Sequence, residues 1–185
     1  MICFNTKYWP LVYFYKNDTK MNETAFEDYK KTYLQILLKC KKEKCQIILI
    51  SDLNNQNKLD IKYVMKQAYF NLKIEKFNKK YVKTVCVYMN DKNFKKILDM
   101  YFSVCPPYCP YKICETYEVI NQFIKETNNE VYNTSIFSNL EINTINLEQN
   151  DEEYKKIKEE LKKEIEDEMK TKTVNKKNIK NEISV

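Results

Sequence analysis

The sequence predicts an α/β fold: a mainly parallel, mixed central sheet of four to five strands with helices packed on it, plus a charged C-terminal helix. Two observations predict it. Three short apolar runs, PLVYFYK (10–16), CQIILISDLN (45–54) and YVKTVCVYMN (81–90), have the length and the β-branched, aromatic content of strands. Between them lie stretches of helical spacing, and strands that alternate with helices need crossover connections, which build a layered sheet. A chain of 185 residues that is 43% hydrophobic and 14% aromatic can bury one substantial core.

Each element follows in order. The run at 10–16 passes into the polar stretch NDTKMNET, a buried strand and then a loop, with residues 1–6 as an edge strand before it. From Asn22 the spacing turns helical. Phe26, Tyr29, Tyr33, Ile36, Leu37 and Cys40 share one face, Asn22 or Thr24 is the cap, and the lysine-rich KCKKEK suits the negative end. CQIILISDLN, a nearly unbroken apolar run closed by Asp52, reads as a central strand covered on both faces. Residues 58–80 return to helical period as a single helix, with Leu59, Tyr63, Val64, Ala68, Phe70 and Leu72 as its apolar positions.

The run at 81–90 repeats the buried-strand pattern, and DKNFKKILDMYFSV (91–104) is a helix capped by Asp91 with Phe94, Ile97, Leu98, Tyr101 and Phe102 inward. Pro106 and Pro107 stop that helix, because proline lacks the N–H and restricts the residue before it. Pro110, with Cys109–Pro110 as a candidate cis bond, leads into the short strand YKICE, and TYEVINQFIKE (116–126) is a last helix capped by Thr116. Residues 1–126 are thus the α/β domain, 127–150 an Asn-rich linker, 151–171 a charged amphipathic helix and 172–185 a disordered tail. Tyr154, Ile157, Leu161, Ile165 and Met169 form a stripe on the 151–171 helix, too short for a stable coiled coil alone, and the helix packs back on the domain or stays free, meets a partner helix, or self-associates.

Composition removes whole classes of chemistry. The formal charge of +6 comes from lysine alone, since the chain has no Arg, no His and no Gly. Phosphate-cradling loops and dinucleotide fingerprints need glycine, histidine bases and His-containing zinc sites need histidine, and bidentate phosphate clamps need arginine. No cofactor is expected. Lys79, Lys80, Lys95 and Lys96 read as solvated surface, not as a nucleic-acid footprint, because the aromatics fall on core faces. The seven cysteines, an odd count behind a start that lacks the order of a signal peptide, point to a reducing, cytoplasmic setting. No apolar run approaches the roughly 20 residues that would cross a bilayer.

CPPYCPYKIC (105–114) is the one concentrated motif. Cys105 and Cys109 meet zinc-ligand spacing once only, so these thiols read as small apolar filler in a connector. Asp52 is the other candidate. A charge at the end of a buried strand either caps its own turn or, with Asn54, Asn55, Asn57, Asp60, Asn90 and Asp91, forms an interaction surface beyond the strand ends.

The segments FEDYKKTYLQILL, QIILISDLN, VKTVCVYMNDKNFKKIL and PYKICETYEVINQFI resemble, in pattern and order over about residues 10–126, a divergent anti-sigma-factor antagonist (STAS) domain. The same stretch is also similar to a divergent CRAL-TRIO domain. The STAS resemblance implies a non-enzymatic protein-interaction or regulatory module with an unknown protein partner. Where that family carries a Ser or Thr followed by Gly, this chain has 54–58, NNQNK, so the phosphoacceptor is lacking. The CRAL-TRIO resemblance implies instead a binder of a lipid or other apolar ligand, for which an internal apolar cavity between helix and sheet is the discriminating feature.

Overall fold

The alternation of apolar runs and helical stretches becomes the order β1 (Ile2–Tyr8), β2 (Leu11–Lys16), α1 (Glu23–Glu43), β3 (Ile47–Asp52), α2 (Ile61–Lys73), α3 (Glu75–Tyr81), β4 (Val82–Tyr88), α4 (Asn93–Val104), β5 (Tyr111–Cys114) and α5 (Tyr117–Asn128). The structure, a computed structural model, describes residues 2–16, 21–54, 60–90, 93–129 and Glu159. The chain divides into two compact units, Met1–Ile145 and Asn146–Val185, and the ten elements belong to the first. Of the second unit only Glu159 is described, exposed and in helical conformation.

The five strands lie side by side in sequence order. β1 and β2 form an antiparallel edge pair, and β2 to β5 run parallel, in a register that sets Leu49 opposite Val12 and Val85, and Val85 opposite Tyr111. Parallel crossovers are right-handed in nearly all sheets, and an order that never reverses then stacks every crossover helix on one face. α1, α2 and α4 accordingly share a face with Leu49 and Val85. α5, which follows the last strand, takes the other face, where Ile120 and Ile124 pack on Ile48, Ile50, Cys86 and Cys114. Without a reversal there is no crevice between oppositely wound halves, the usual ligand position in such sheets.

Local chemistry sets the helix ends. Asn22 accepts from the Ala25 N–H at 2.8 Å, Asp60 from the Lys62 N–H at 3.0 Å, and Thr116 from the Val119 N–H at 3.3 Å. α1 closes with Lys44 at φ 53° and α5 with Asn129 at φ 56°, positions that glycine fills in most chains and that a glycine-free sequence must fill otherwise. Pro106 and Pro107 follow the end of α4 at Val104, as the sequence requires.

Three details depart from the sequence reading. The 58–80 helix is two helices, α2 and α3, broken at buried Ile74, which has φ −104° and ψ 22°. Within α2, Leu72 is exposed and Asn71 is buried, because the face that meets α1 and α4 runs through Tyr63, Gln67, Asn71 and Ile74 at steps of three and four. The cis peptide bond among the described residues is Trp9–Pro10, in the β1–β2 turn, not Cys109–Pro110.

Burial leaves a signature in pH dependence. Burial pushes the Cys40 thiol up to about 12 from 9.0 and the Tyr29 hydroxyl up to about 12 from 10.0. Both groups keep their protons in the folded chain where the unfolded chain would ionise. Their stabilisation is therefore complete below about pH 9 and is lost as pH rises through 12. Urea unfolding followed by far-UV circular dichroism is expected to show a midpoint that falls across that window, and a rising midpoint would contradict the assignment.

Candidate functional site

The helix-covered face of the sheet carries an aromatic wall. Tyr29 and Tyr33, one turn apart on α1, stack at 5.9 Å with 9° between ring planes, Phe4 lies 5.8 and 6.0 Å from them, and Phe70 meets both edge-on. Between α1, α2, α4 and the sheet a cavity of about 140 Å³ remains. Leu49, Val85 and Tyr111, one row across three neighbouring strands, line it from the sheet. Leu49 and Val85 sit in the middle of central strands yet are only half-buried. From the helices come Tyr63, Val64 and Gln67 on α2 and Ile97, Leu98 and Tyr101 on α4, and the 105–109 connector completes the lining.

Polar side chains converge on one part of this wall. Tyr33 donates its hydroxyl to Asn78 Oδ1 at 2.9 Å, Asn78 Nδ2 donates to the Asn71 carbonyl at 3.3 Å, and Asn71 Nδ2 donates to the Tyr101 hydroxyl at 2.7 Å. Gln67 Nε2 donates to the Tyr29 hydroxyl at 3.1 Å. Asn78 is wholly buried and Asn71 nearly so, so these bonds replace water that the groups would otherwise require. Burial holds the hydroxyls of Tyr33, Tyr101 and Tyr108 well above their ordinary value, so all three are neutral donors at physiological pH.

The CPPYCP connector is thus part of the site, through packing. Cys105 and Cys109 line the cavity, and burial raises both thiols, Cys109 to about 11, which keeps them protonated and poor as nucleophiles or ligands. Cys114 faces α5, beside Cys86. Among the described residues no group of three or more Cys, Asp or Glu is placed to hold a metal ion.

The sequence-predicted surface is only partly brought together. Asp52 is 4% exposed, and its carboxylate is taken by the hydroxyl of Tyr13 and, at 2.8 Å, by the Asn54 N–H, an Asx turn that caps the end of β3. Tyr13 in turn meets the Tyr117 hydroxyl at 3.2 Å, all on the α5 face, and burial followed by the bond to Asp52 pushes the Tyr13 hydroxyl far up. Asn54 Oδ1 accepts from the Asn90 N–H at 2.7 Å, tying the ends of β3 and β4. Asp60 caps α2 and, among the described residues that line the cavity, is the only charged one. Asn55, Asn57 and Asp91 lie outside the described residues, as do Leu59 and Tyr154, Ile157, Leu161, Ile165 and Met169.

Sequence reasoning missed Tyr29, Tyr33, Gln67, Asn71, Asn78 and Tyr101 as a site. A signal for half of them was present: Gln67, Asn71 and Asn78 fall on the inward helical stripe, where amides are out of place unless paired. Fold and site together define a five-stranded mixed α/β domain with an aromatic cavity between sheet and helices. Comparison with protein-family models, with curated proteins and with solved structures finds no match to this chain. No described helix is long and apolar enough to cross a membrane.

Proposed function

We propose that this chain is a non-enzymatic binding protein that takes a small, neutral, apolar guest of about ring size in the cavity between its sheet and α1, α2 and α4. The cavity carries the reading. An apolar cavity of about 150 Å³ holds a benzene molecule, whereas sites for drug-sized ligands run from about 300 Å³ upward. At about 140 Å³ this space suits a single ring, which favours a small apolar ligand over a full-length lipid. Among the described residues no lysine lines it and Asp60 would repel an anion, so a fatty-acid carboxylate meets no counter-charge among them.

Titration of the isotope-labelled protein with ethylbenzene, followed by amide NMR, tests the reading. Saturable shifts are expected to cluster at Leu49, Val64, Val85 and Leu98, while palmitate leaves those amides in place. Absence of any saturable shift with ethylbenzene would sink it.

The alternative of a protein-interaction module is favoured by a separate observation. Ile61, Tyr69 and Leu72 on α2 are 53%, 55% and 40% exposed, an apolar strip on the face turned away from the cavity. The same titration separates the two readings, since a surface module has no need of an occupied interior.

A further inference from the structure

Positive charge gathers at one end of the fold. Lys41 and Lys42 lie in the last turn of α1 and Lys44 just beyond it, Lys73 ends α2, and α3 carries Lys76, Lys79 and Lys80. All seven are exposed. Residues 41–46 and 73–80 hold these seven lysines against two glutamates, a net +5, where the whole chain has +6. Lys79 is paired with Glu75 at 2.6 Å. Topology brings the two segments together: α1 leads into β3 and α3 directly into β4, Ile47 and Val82 begin those strands side by side, and Gln46 Nε2 donates to the Lys80 carbonyl at 3.0 Å. A lysine or two suits the negative end of a helix, but that effect fades within a turn and does not call for seven.

Apolar side chains face outward beside them. Tyr69, Leu72 and Lys73, at steps of three and four, share one side of α2, and all three are exposed. A short apolar strip bordered by lysines is the pattern of a surface that lies on a bilayer without crossing it: the apolar tips enter the headgroup boundary and the lysines are drawn to anionic lipids. We propose that the C-terminal half of α2, α3 and the end of α1 form a docking surface for an anionic lipid membrane. This goes beyond the cavity reading and does not depend on it.

Other occupants fit less well. A second copy would bring lysine against lysine. A single-stranded nucleic acid gains from stacking, and Leu72 offers it no ring face. An acidic protein presents carboxylates at fixed positions, which arginine meets with a rigid fork, and this chain has no arginine. Lysine, a single charge on a flexible stem, suits the diffuse charge of a lipid surface.

Co-sedimentation with phosphatidylcholine vesicles that contain about 30% phosphatidylserine tests this. The protein is expected to pellet with them and to stay in the supernatant with phosphatidylcholine alone. Raising NaCl from about 0.1 to about 0.5 M, which roughly halves the screening length, is expected to release it. Lys76→Gln/Lys80→Gln is expected to weaken binding about 20-fold, and Tyr69→Ala/Leu72→Ser at least about fivefold. The four side chains are exposed, so far-UV circular dichroism and ethylbenzene binding are expected to be unchanged in both variants. Undiminished vesicle binding in either folded variant, equal binding to phosphatidylcholine alone, or no binding to either vesicle would overturn the proposal and leave the cavity reading standing. Binding of poly(U) RNA without binding of the vesicles would assign the lysines to a nucleic acid and overturn it as well.

Discussion

Replacing Val85 by Phe is expected to abolish guest binding, raising the ethylbenzene Kd by more than about 100-fold, while the domain stays folded. Val85 lies in the middle of the lining row on β4, opposite Leu49 and Tyr111, and a phenyl ring there occupies the volume a guest would use. Adding carbons to a filled core costs about 1–3 kcal/mol, but at this position the ring enters existing space, so thermal stability is expected to change by less than about 1 kcal/mol. Calorimetric titration and a thermal melt on one preparation read both effects. Undiminished binding in a folded Val85→Phe variant would place the guest elsewhere.

Replacing Asp52 by Ala is expected to have the opposite profile, a large loss of stability with guest binding retained. The carboxylate accepts from the Tyr13 hydroxyl and from the Asn54 N–H inside the α5 side of the sheet, and alanine takes the acceptor from both. Loss of a buried acceptor of this kind costs about 2–4 kcal/mol, or roughly 10 °C in Tm for a domain of this size. Asp52→Asn keeps the shape and one acceptor oxygen, and is expected to lose less than half of that. Guest affinity is expected to persist, because the sheet separates Asp52 from the cavity. A stable Asp52→Ala variant that no longer binds would restore Asp52 to the functional role its place at a strand end suggests.

Asp52 shows why the site was harder to read than the fold. A charge that closes an apolar run draws attention in a sequence, and here it satisfies its own turn and one tyrosine. The cavity residues look ordinary one by one: Tyr29 and Tyr33 are core positions of an amphipathic helix, and Leu49 and Val85 belong to apolar strands. Gln67, Asn71 and Asn78 were the legible exception. The period over 58–80 predicts one helix with Leu72 inward, whereas the structure breaks it at Ile74 and buries Asn71.

The sequence by itself determined the α/β class, the order of strands and helices save the break at Ile74, the caps at Asn22 and Thr116 and the connector at Pro106 and Pro107, because periods of two and about 3.6 and the conformational limits of proline act over a few residues. It also removed, through the missing Gly, His and Arg, the chemistries those residues serve. Only the tertiary structure decided that the strands lie in unreversed order, that α1, α2 and α4 share a face with one row of the sheet, and that a cavity survives beneath them. The polar groups of its wall come from positions 45 residues apart for Tyr33 and Asn78, and 30 apart for Asn71 and Tyr101. No local period encodes such a meeting, because a cavity is the mismatch left where the faces of distant elements fail to fill the space between them.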